Sequence, residues 1–509
     1  MNTILEGLNP SQRKAVEHEG GHLLIVAGPG TGKTHTLACR IARLAPSLAK
    51  DQKVLAITFT NKAAEELRQR LLSVPGAAGK VVAGTFHSFC LQVLREFIGY
   101  TDLPKDFRVA SLEEIEEWAK EIWPDKKPRE RREALEIVSA WKSSIGPGDP
   151  PEEVKAYSRK LRSLSVLDFD DLLLEALYLL QTSYDAARDI QGAYRHVFVD
   201  EYQDINAVQH ALLKQLVRNE VLLTAIGDPN QAIYGFRGSD VRFFKTFAAD
   251  FPAAAVLSLS ENYRSAQNLL SASSQVIAKA RFQNVPEQIA KILEQGRLTI
   301  HDSATDKAEA EFIVHQIEKM VGGTSMFSKD SGRVADEGRA QRSFGDIAVL
   351  YRLNSQAREL KLAFERSGIP FRVSGEERDE DRDDVCPPRS REAAFEAEKV
   401  SLMSLHASKG LEFPAVFIAG CEETLLPLNL ERMTGDPDEE RRLFYVGMTR
   451  AKEQLFLLRA RRRRLYGKMR ENAASPFLSD IAEALKEYEK AAGARKRPKK
   501  GEGQMTLFG

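Results

Sequence analysis

The stretch that most constrains the fold is Gly28-Pro29-Gly30-Thr31-Gly32-Lys33-Thr34. It follows a short apolar run, residues 23–27, that reads as a buried strand, and it opens a helical pattern over residues 33–44. Glycines here let backbone amides curl around a phosphate, while Lys33 reaches the outer phosphates and the Thr34 hydroxyl suits Mg²⁺. Spacing, lysine, hydroxyl and flanking elements all agree. The unit then repeats: strand patterns at 54–58 and 81–83 alternate with helical patterns at 62–72 and 87–97. Such alternation predicts an α/β protein, a parallel sheet with helices on both faces.

Residues 100–190 change character and read as mostly helical, with Trp118, Trp123 and Trp141 as packing anchors. The α/β pattern resumes at 196–200, 221–226 and 256–259. A second α/β region starts near residue 265, with strands at 347–351, 400–405 and 416–419. Residues 322–343 read as a Gly/Ser-rich loop. The whole chain of 509 residues is long enough for several domains. No apolar run is long enough to span a membrane, and the first ten residues lack the basic and apolar regions of a secretory signal. Cys39, Cys90, Cys386 and Cys421 stand far apart without metal-type spacing, which fits reduced thiols in the cytoplasm. Formal net charge is zero, but residues 376–384 hold seven acids against two arginines, and residues 459–500 hold fourteen Lys/Arg against five acids. The basic stretch suits either phosphate attraction or plain solvation.

Two further segments carry chemistry. At the end of the 196–200 strand stand Asp200, placed to hold Mg²⁺ directly or through water, and Glu201, placed to orient and deprotonate an attacking water. The stretch Gly227-Asp228-Pro229-Asn230-Gln231-Ala232-Ile233-Tyr234-Gly235-Phe236-Arg237-Gly238 joins an amide able to reach a phosphate, Gln231, to a cluster able to stack on bases, Tyr234, Phe236 and Arg237. A loop occupied at both ends would connect nucleotide hydrolysis to movement along a strand. Charge developing on a transferred phosphate also calls for cations beyond Lys33. Arg264 and Arg450 are the candidates, and each reads equally as a salt-bridged surface arginine.

Taken together these segments resemble a superfamily 1 helicase of the UvrD/Rep/PcrA type, from Leu8 to about residue 458. Leu8-Asn9-Pro10 with Gln12 resembles the Q motif, Ala27 to Thr34 motif I, Thr58-Phe59-Thr60-Asn61-Lys62-Ala63-Ala64 motif Ia, and Gly84-Thr85-Phe86-His87 motif Ib. Leu167-Asp168-Phe169-Asp170-Asp171-Leu172 matches a further family segment near the DNA track. Residues 199–206 resemble motif II, 227–240 motif III, 261–265 motif IV and 348–352 the strand called IVa. His406-Ala407-Ser408-Lys409-Gly410-Leu411-Glu412-Phe413 resembles motif V, and residues 440–452 motif VI.

The resemblance implies two RecA-like P-loop motor domains. The first would span 1–91 and 191–264 with a helical insertion at 92–190, and the second 265–375 and 398–485. It implies ATP and Mg²⁺ as cofactors. Gly28, Gly30, Thr31, Gly32, Lys33 and Thr34 would hold the phosphates, Gln12 would read the adenine edge, Tyr263 would stack on adenine and Glu412 would contact the ribose. Gln231 would sense the γ-phosphate, Glu201 would activate water, and Arg264 and Arg450 would act as arginine fingers across the cleft between the motors. His35 stands where relatives usually carry arginine, which weakens one stacking contact with adenine. For single-stranded DNA the implied track is Phe59, Asn61, Thr85, Phe86, His87, Tyr234, Phe236, Arg237 and His406, with aromatic faces for bases and donors for the backbone. Phe236 replaces a usual tryptophan, and Gly235 a usual basic residue. Members of the family move 3′→5′.

One family part is missing. Relatives interrupt the second motor between IVa and motif V with a large helical domain, 2B. Here only the acidic connector 376–397 fills that position, too short to bury a core. The basic tail 486–509 ends in Gln504-Met505-Thr506-Leu507-Phe508, similar to the peptide that binds the bacterial sliding clamp, with Gln504, Leu507 and Phe508 as its anchors. The expectation is an ATP-dependent 3′→5′ single-stranded DNA translocase or helicase of repair or replication. It would be cytoplasmic and nucleoid-associated, and single/double-strand junctions are a further substrate. The alternatives are a motor that displaces proteins or remodels RNA or DNA without processive unwinding, and a nucleotide-switched, clamp-associated scaffold.

Overall fold

A computed structural model describes the chain apart from residues 1–5, 73, 75, 78, 146–147, 219, 281–285, 293–294, 323–341, 375–397, 432 and 490–509. Most of the 322–343 loop, the acidic connector and the terminal peptide therefore lie outside the described residues. Two compact units form, one from residues 1–295 with 435–449 and one from 296–434 with 450–509. Among the described residues no helix is long and apolar enough to cross a membrane.

The first unit is built on six parallel strands, β1 (Leu23–Ala27), β2 (Lys53–Ile57), β3 (Val81–Gly84), β4 (Tyr194–Val199), β5 (Leu222–Gly227) and β6 (Ala255–Leu259), in the order β3-β2-β4-β5-β1-β6. In β1, Leu24 and Val26 enter one core while Leu23, Ile25 and Ala27 enter the other. Burial on both faces explains why the inner strands read as unbroken apolar runs rather than alternating ones. Because every strand is parallel, the segments that follow all six leave the same edge of the sheet. That edge is where α/β proteins place their ligands.

Between β3 and β4 the chain is helical. Only its middle has a core of its own, formed by Trp118, Trp123, Val138, Tyr157 and Leu161, with Trp141 packed against it. The flanking helices Phe86–Glu96, Phe169–Thr182 and Tyr184–Ala193 pack into the main core instead. The first unit also runs past residue 264, where the sequence suggests a boundary. The strand pair Glu261–Asn262 and Ile289–Ala290 and the helix Gln267–Ile277 stay with it, and the helix Pro437–Met448 packs there too, with Arg441 Nη1 donating to Val276 O at 2.8 Å.

In the second unit, strands β7 (Arg297–Thr305), β8 (Ile347–Tyr351), β9 (Phe371–Val373), β10 (Val400–Ser404), β11 (Phe413–Ile418), β12 (Ala451–Leu465) and β14 (Glu487–Tyr488) form a parallel sheet in the order β9-β10-β8-β11-β12-β7-β14. Val349, Leu402, Phe417 and Phe456 of the sheet pack against Ile313, Ile317 and Phe364 of the helices Asp306–Val321 and Ala357–Ser367. The far end of β12 turns back antiparallel as β13 (Lys468–Glu471). Its two turn residues, Tyr466 and Gly467, both have positive φ (49° and 80°), the backbone that a tight two-residue hairpin needs.

This unit also holds a buried ionic network. Arg463 donates to Glu309 (2.6 Å) and to Glu422 (2.7 Å), and the three side chains are at most 4% exposed. Gly420 N donates to Glu309, while Ala460 N and Asn472 Nδ2 donate to Glu422. The two carboxylates hold the guanidinium more basic than an ordinary arginine.

Candidate active site

The phosphate loop leaves β1 and ends at Gly32, whose φ of +80° delivers Lys33 to the first turn of the helix Lys33–Leu44. No side chain caps that helix, so its leading N–H groups are available to an anion. Thr31 Oγ1 donates to Gly28 O at 2.8 Å and braces the loop from within. From outside, the segment after β6 is bound to it: Asn262 Nδ2 donates to Pro29 O (2.6 Å) and Tyr263 N to Gly30 O (2.8 Å). A Cβ on Gly30 would lie 2.6 Å from Arg264 Cβ and 2.7 Å from Asn262 Nδ2, so glycine is what lets these residues close in. Asn262 Oδ1 accepts from Arg264 N and Ser265 N, which fixes the turn that carries Tyr263 and Arg264.

Gln12 flanks the loop on another side. Its Nε2 donates to Thr31 O at 3.0 Å, and its Oε1 accepts from Asn9 N in the capping box that starts the helix Pro10–Glu17. An amide has two N–H bonds and two lone pairs, so each end of Gln12 retains one partner's worth of capacity. Asn9 Nδ2 donates to Tyr263 OH, which in turn donates to Glu261 at 2.6 Å, while the ring itself stays half exposed. The loop thus gathers Gln12, Tyr263 and Arg264 around Lys33 and Thr34. His35 lies exposed in the same first turn of the helix, its ring 3.7 Å from Cys39 Sγ.

The ends of β4 and β5 bring acids to the same edge. Asp200 follows β4, and burial together with the charge of Glu201 pushes its carboxyl up to about 7, with Lys33 opposing. Burial also raises Asp228, again against Lys33. Glu201 has a left-handed backbone (φ 51°), uncommon for a residue with a side chain. Among the described residues no group of three or more His, Cys, Asp or Glu side chains would hold a metal alone. The Asp200 carboxylate and the Thr34 hydroxyl are oxygen donors that would suit a hard cation, and such a charge would offset the crowding of acids. Gln231 Nε2 donates to Asp228 Oδ2 at 2.8 Å.

Past Gln231 the same loop reaches the aromatic residues. Tyr234 stacks on Phe59 of the β2 loop, with centroids 5.3 Å apart and planes 7° apart. Phe236 stands edge-on to Tyr234 and is 66% exposed, and the Arg237 guanidinium lies 5.5 Å from its ring centre. From the helix Pro437–Met448, Glu439 accepts from Gly235 N (3.1 Å) and Arg442 Nε donates to Ala232 O (2.8 Å). A Cβ on Gly235 would approach Glu439 Oε2 to 2.7 Å, so the missing side chain permits this grip.

Thr85 caps the helix Phe86–Glu96 through Ser88, Asn61 opens its own helix in an exposed position, and His87 sits edge-on to Phe169. Desolvation keeps His87 below the usual imidazole range. Phe86 corrects the sequence reading. It is 7% exposed and belongs to the main core, because the first helical residue after the Thr85 cap points inward, so it offers no face to a base.

In the second unit, His406 lies in the turn after β10. Glu412 precedes β11 and pairs with Lys452 at 2.8 Å, while Arg450 precedes β12, is buried and donates to Leu411 O at 3.0 Å. Gln504, Leu507 and Phe508 lie outside the described residues. Sequence reasoning passed over Asn262, Gln288, Gln203, Glu439 and Arg442. Asn262 and Gln203 lie inside motif-like segments and Gln288 lies outside them all; each is an uncharged amide whose use only three-dimensional contact reveals. Gln288 is buried, accepts from Asn262 Nδ2 and rests against Gly28.

A parallel sheet with a glycine-rich phosphate loop, strand-end acids and a loop running from them to exposed aromatics defines a P-loop nucleotide-dependent motor. The UvrD/REP helicase N-terminal domain matches residues 8–252, and the UvrD-like helicase C-terminal domain matches 257–384 and 388–462. The chain therefore belongs to the UvrD/Rep/PcrA family of helicases, with its two RecA-like domains. It is 29% identical to the ATP-dependent DNA helicase UvrD1 of Mycobacterium leprae over 702 aligned positions, covering 96% of this chain and 87% of that protein. To the ATP-dependent DNA helicase PcrA of Staphylococcus epidermidis it is 26% identical over 683 positions (99% and 91%), and to that of Staphylococcus aureus 27% over 658 (96% and 88%). Each alignment is longer than the 509 residues of this chain, so each relative carries sequence without a counterpart here.

Proposed function

We propose that this helicase is an ATP-driven motor that moves 3′→5′ along single-stranded DNA in repair or replication. The observation that carries this reading is the loop 227–238. At one end Gln231 is bonded to Asp228 beside the acids, and at the other Tyr234 and Phe236 offer ring faces next to Phe59. Glu201 takes the proton from the attacking water, and Lys33 and Arg264 balance charge developing on the terminal phosphate. Arg450 takes the same role on the family pattern alone. Thr34 and Asp200 would hold Mg²⁺, which supplies further charge neutralisation at the phosphates when bound. Gln12 and Tyr263 fit the adenine, and Glu412 the ribose. Thr85, His87, Arg237, Asn61 and His406 line the strand's backbone.

Two aromatic variants separate track from core. Phe236→Ala should weaken binding of a short oligo-dT by about 1–3 kcal/mol, with stability within about 0.5 kcal/mol of the parent. Phe86→Ala should lower stability by about 3–5 kcal/mol. Fluorescence anisotropy and urea melts read the two, and the reverse pattern would remove Phe236 from the track.

The short connector 376–397 and the longer relatives support a second statement: a motor without 2B translocates on single strands but unwinds duplex poorly as a monomer. ATPase stimulation by single- and double-stranded DNA and RNA, run beside single-turnover strand displacement on 3′- and 5′-tailed duplexes, tests both. Stimulation by single-stranded DNA with weak, 3′-tail-dependent displacement is expected. Efficient unwinding of long duplex by a monomer, or dependence on a 5′ tail, would overturn the reading. The C-terminal Gln504, Leu507 and Phe508 fit a sliding-clamp pocket, and truncation after Gly503 should abolish clamp pull-down. The site of action is then the nucleoid in the cytoplasm.

A further inference from the structure

Gln203 is completely buried two residues beyond Glu201, and neither of its amide ends faces solvent. Its Oε1 accepts from Asp228 N at 3.0 Å. A main-chain N–H can only donate, so this bond fixes which end is oxygen and turns Nε2 the other way. Nε2 then donates to Glu201 Oε2 at 2.5 Å, with Asp204 Oδ2 at 3.4 Å. Asp228 continues the chain: its Oδ2 accepts from Gln231 Nε2 at 2.8 Å, and its carbonyl accepts from Gln231 N at 2.9 Å. An unbroken series of hydrogen bonds therefore runs from the Glu201 carboxylate through Gln203 and Asp228 to the Gln231 amide.

A separate feature is shaped around the same side chain. A Cβ on Gly227 would lie 2.2 Å from Gln203 Oε1 and 3.1 Å from Tyr202 N and from the Phe244 ring. Gly227 has no need of a left-handed backbone, so its bareness serves to admit Gln203. Glu201 meanwhile holds a strained φ of 51°, which persists only where its surroundings over-determine it.

We infer that Gln203 is a positioning residue for ATP hydrolysis, tying the water-activating carboxylate of Glu201 to the phosphate-sensing amide of Gln231 so that the two reach their working places together. The inference rests on the roles given to Glu201 and Gln231 under Proposed function. Loss of the terminal phosphate from Gln231 then also releases Glu201, and the site resets as one piece.

Gln203→Met keeps the length of the side chain and removes both bonds. Its kcat for single-stranded-DNA-stimulated ATP hydrolysis should fall about 100-fold, the scale of a small misplacement of a reacting group. KM for ATP and affinity for a non-hydrolysable ATP analogue should stay within about threefold, since the phosphate loop is untouched. Gln203→Glu retains an acceptor for Asp228 N and the buried volume but sets a carboxylate against Glu201, and Gly227→Ala displaces an unaltered Gln203; both should show the same split. A kcat within about threefold of the parent in Gln203→Met or Gln203→Glu, or a parallel loss of kcat and analogue affinity in all three variants, overturns the inference. Glu201→Gln serves as the control. If it hydrolyses ATP normally, the role assigned to Glu201 fails; if it is inactive while Gln203→Met is not, only the inference fails.

Discussion

Lys33→Ala is expected to lower single-stranded-DNA-stimulated ATP hydrolysis by a factor of about 10³, the loss seen when a preorganised charge is taken from a transition state. Two effects add. The ammonium is the cation built into the first turn of the helix after the phosphate loop, so its removal leaves the outer phosphates with backbone N–H groups alone on that side. It also opposes the upward push on Asp200 and Asp228, so without it both carboxyls move further up. Steady-state ATPase with saturating oligo-dT measures the effect, and residual turnover above about a tenth of the parent would mean that the loop is not the catalytic phosphate site.

A loss of stability as large as that of Phe86→Ala is expected at Arg463→Met. Removing the guanidinium leaves Glu309 and Glu422 buried and facing each other without a cation, and breaking such a network by one partner destabilises by about 3–5 kcal/mol. Burial already raises Glu309 even with Arg463 in place. Denaturant unfolding should show the transition of the second unit moving to lower concentration. The triple variant Arg463→Met, Glu309→Leu, Glu422→Leu should recover most of the loss, because no unpaired charge then remains. A single variant as stable as the parent would show that the network contributes little.

What the sequence disclosed about this molecule followed the range of the interactions involved. The strand, glycine loop and helix around Gly28–Lys33 are written locally, in apolar runs and in residues that relieve backbone strain, so the parallel α/β class was legible. The acids at Asp200 and Glu201 were legible for the same reason, since each stands at the end of a readable strand. Phe86 was misread because aromatic residues after a strand look alike in sequence, and only the cap at Thr85 decides which way the ring turns. The network of Glu309, Glu422 and Arg463 was invisible. Its members are 154 and 41 positions apart, and nothing in their neighbours marks them as buried. Gln203 escaped notice because an amide carries no charge pattern. The first unit's reach beyond residue 264 was hidden by a helix that returns from far along the chain.

That returning helix, Pro437–Met448, has a consequence for biosynthesis. Its residues pack with the first unit although most of the second unit's sequence separates them from it. A ribosome will have made the whole phosphate loop, the acids and the aromatic track well before Glu439 and Arg442 emerge to grip Gly235 and Ala232. Domains fold as units during synthesis, but this one lacks a piece until late in translation. A nascent chain stopped before residue 435 would carry the nucleotide-binding residues without the clasp on the loop beside them. The loop 227–238 thus gains its grip from Glu439 and Arg442 only after most of the chain is made.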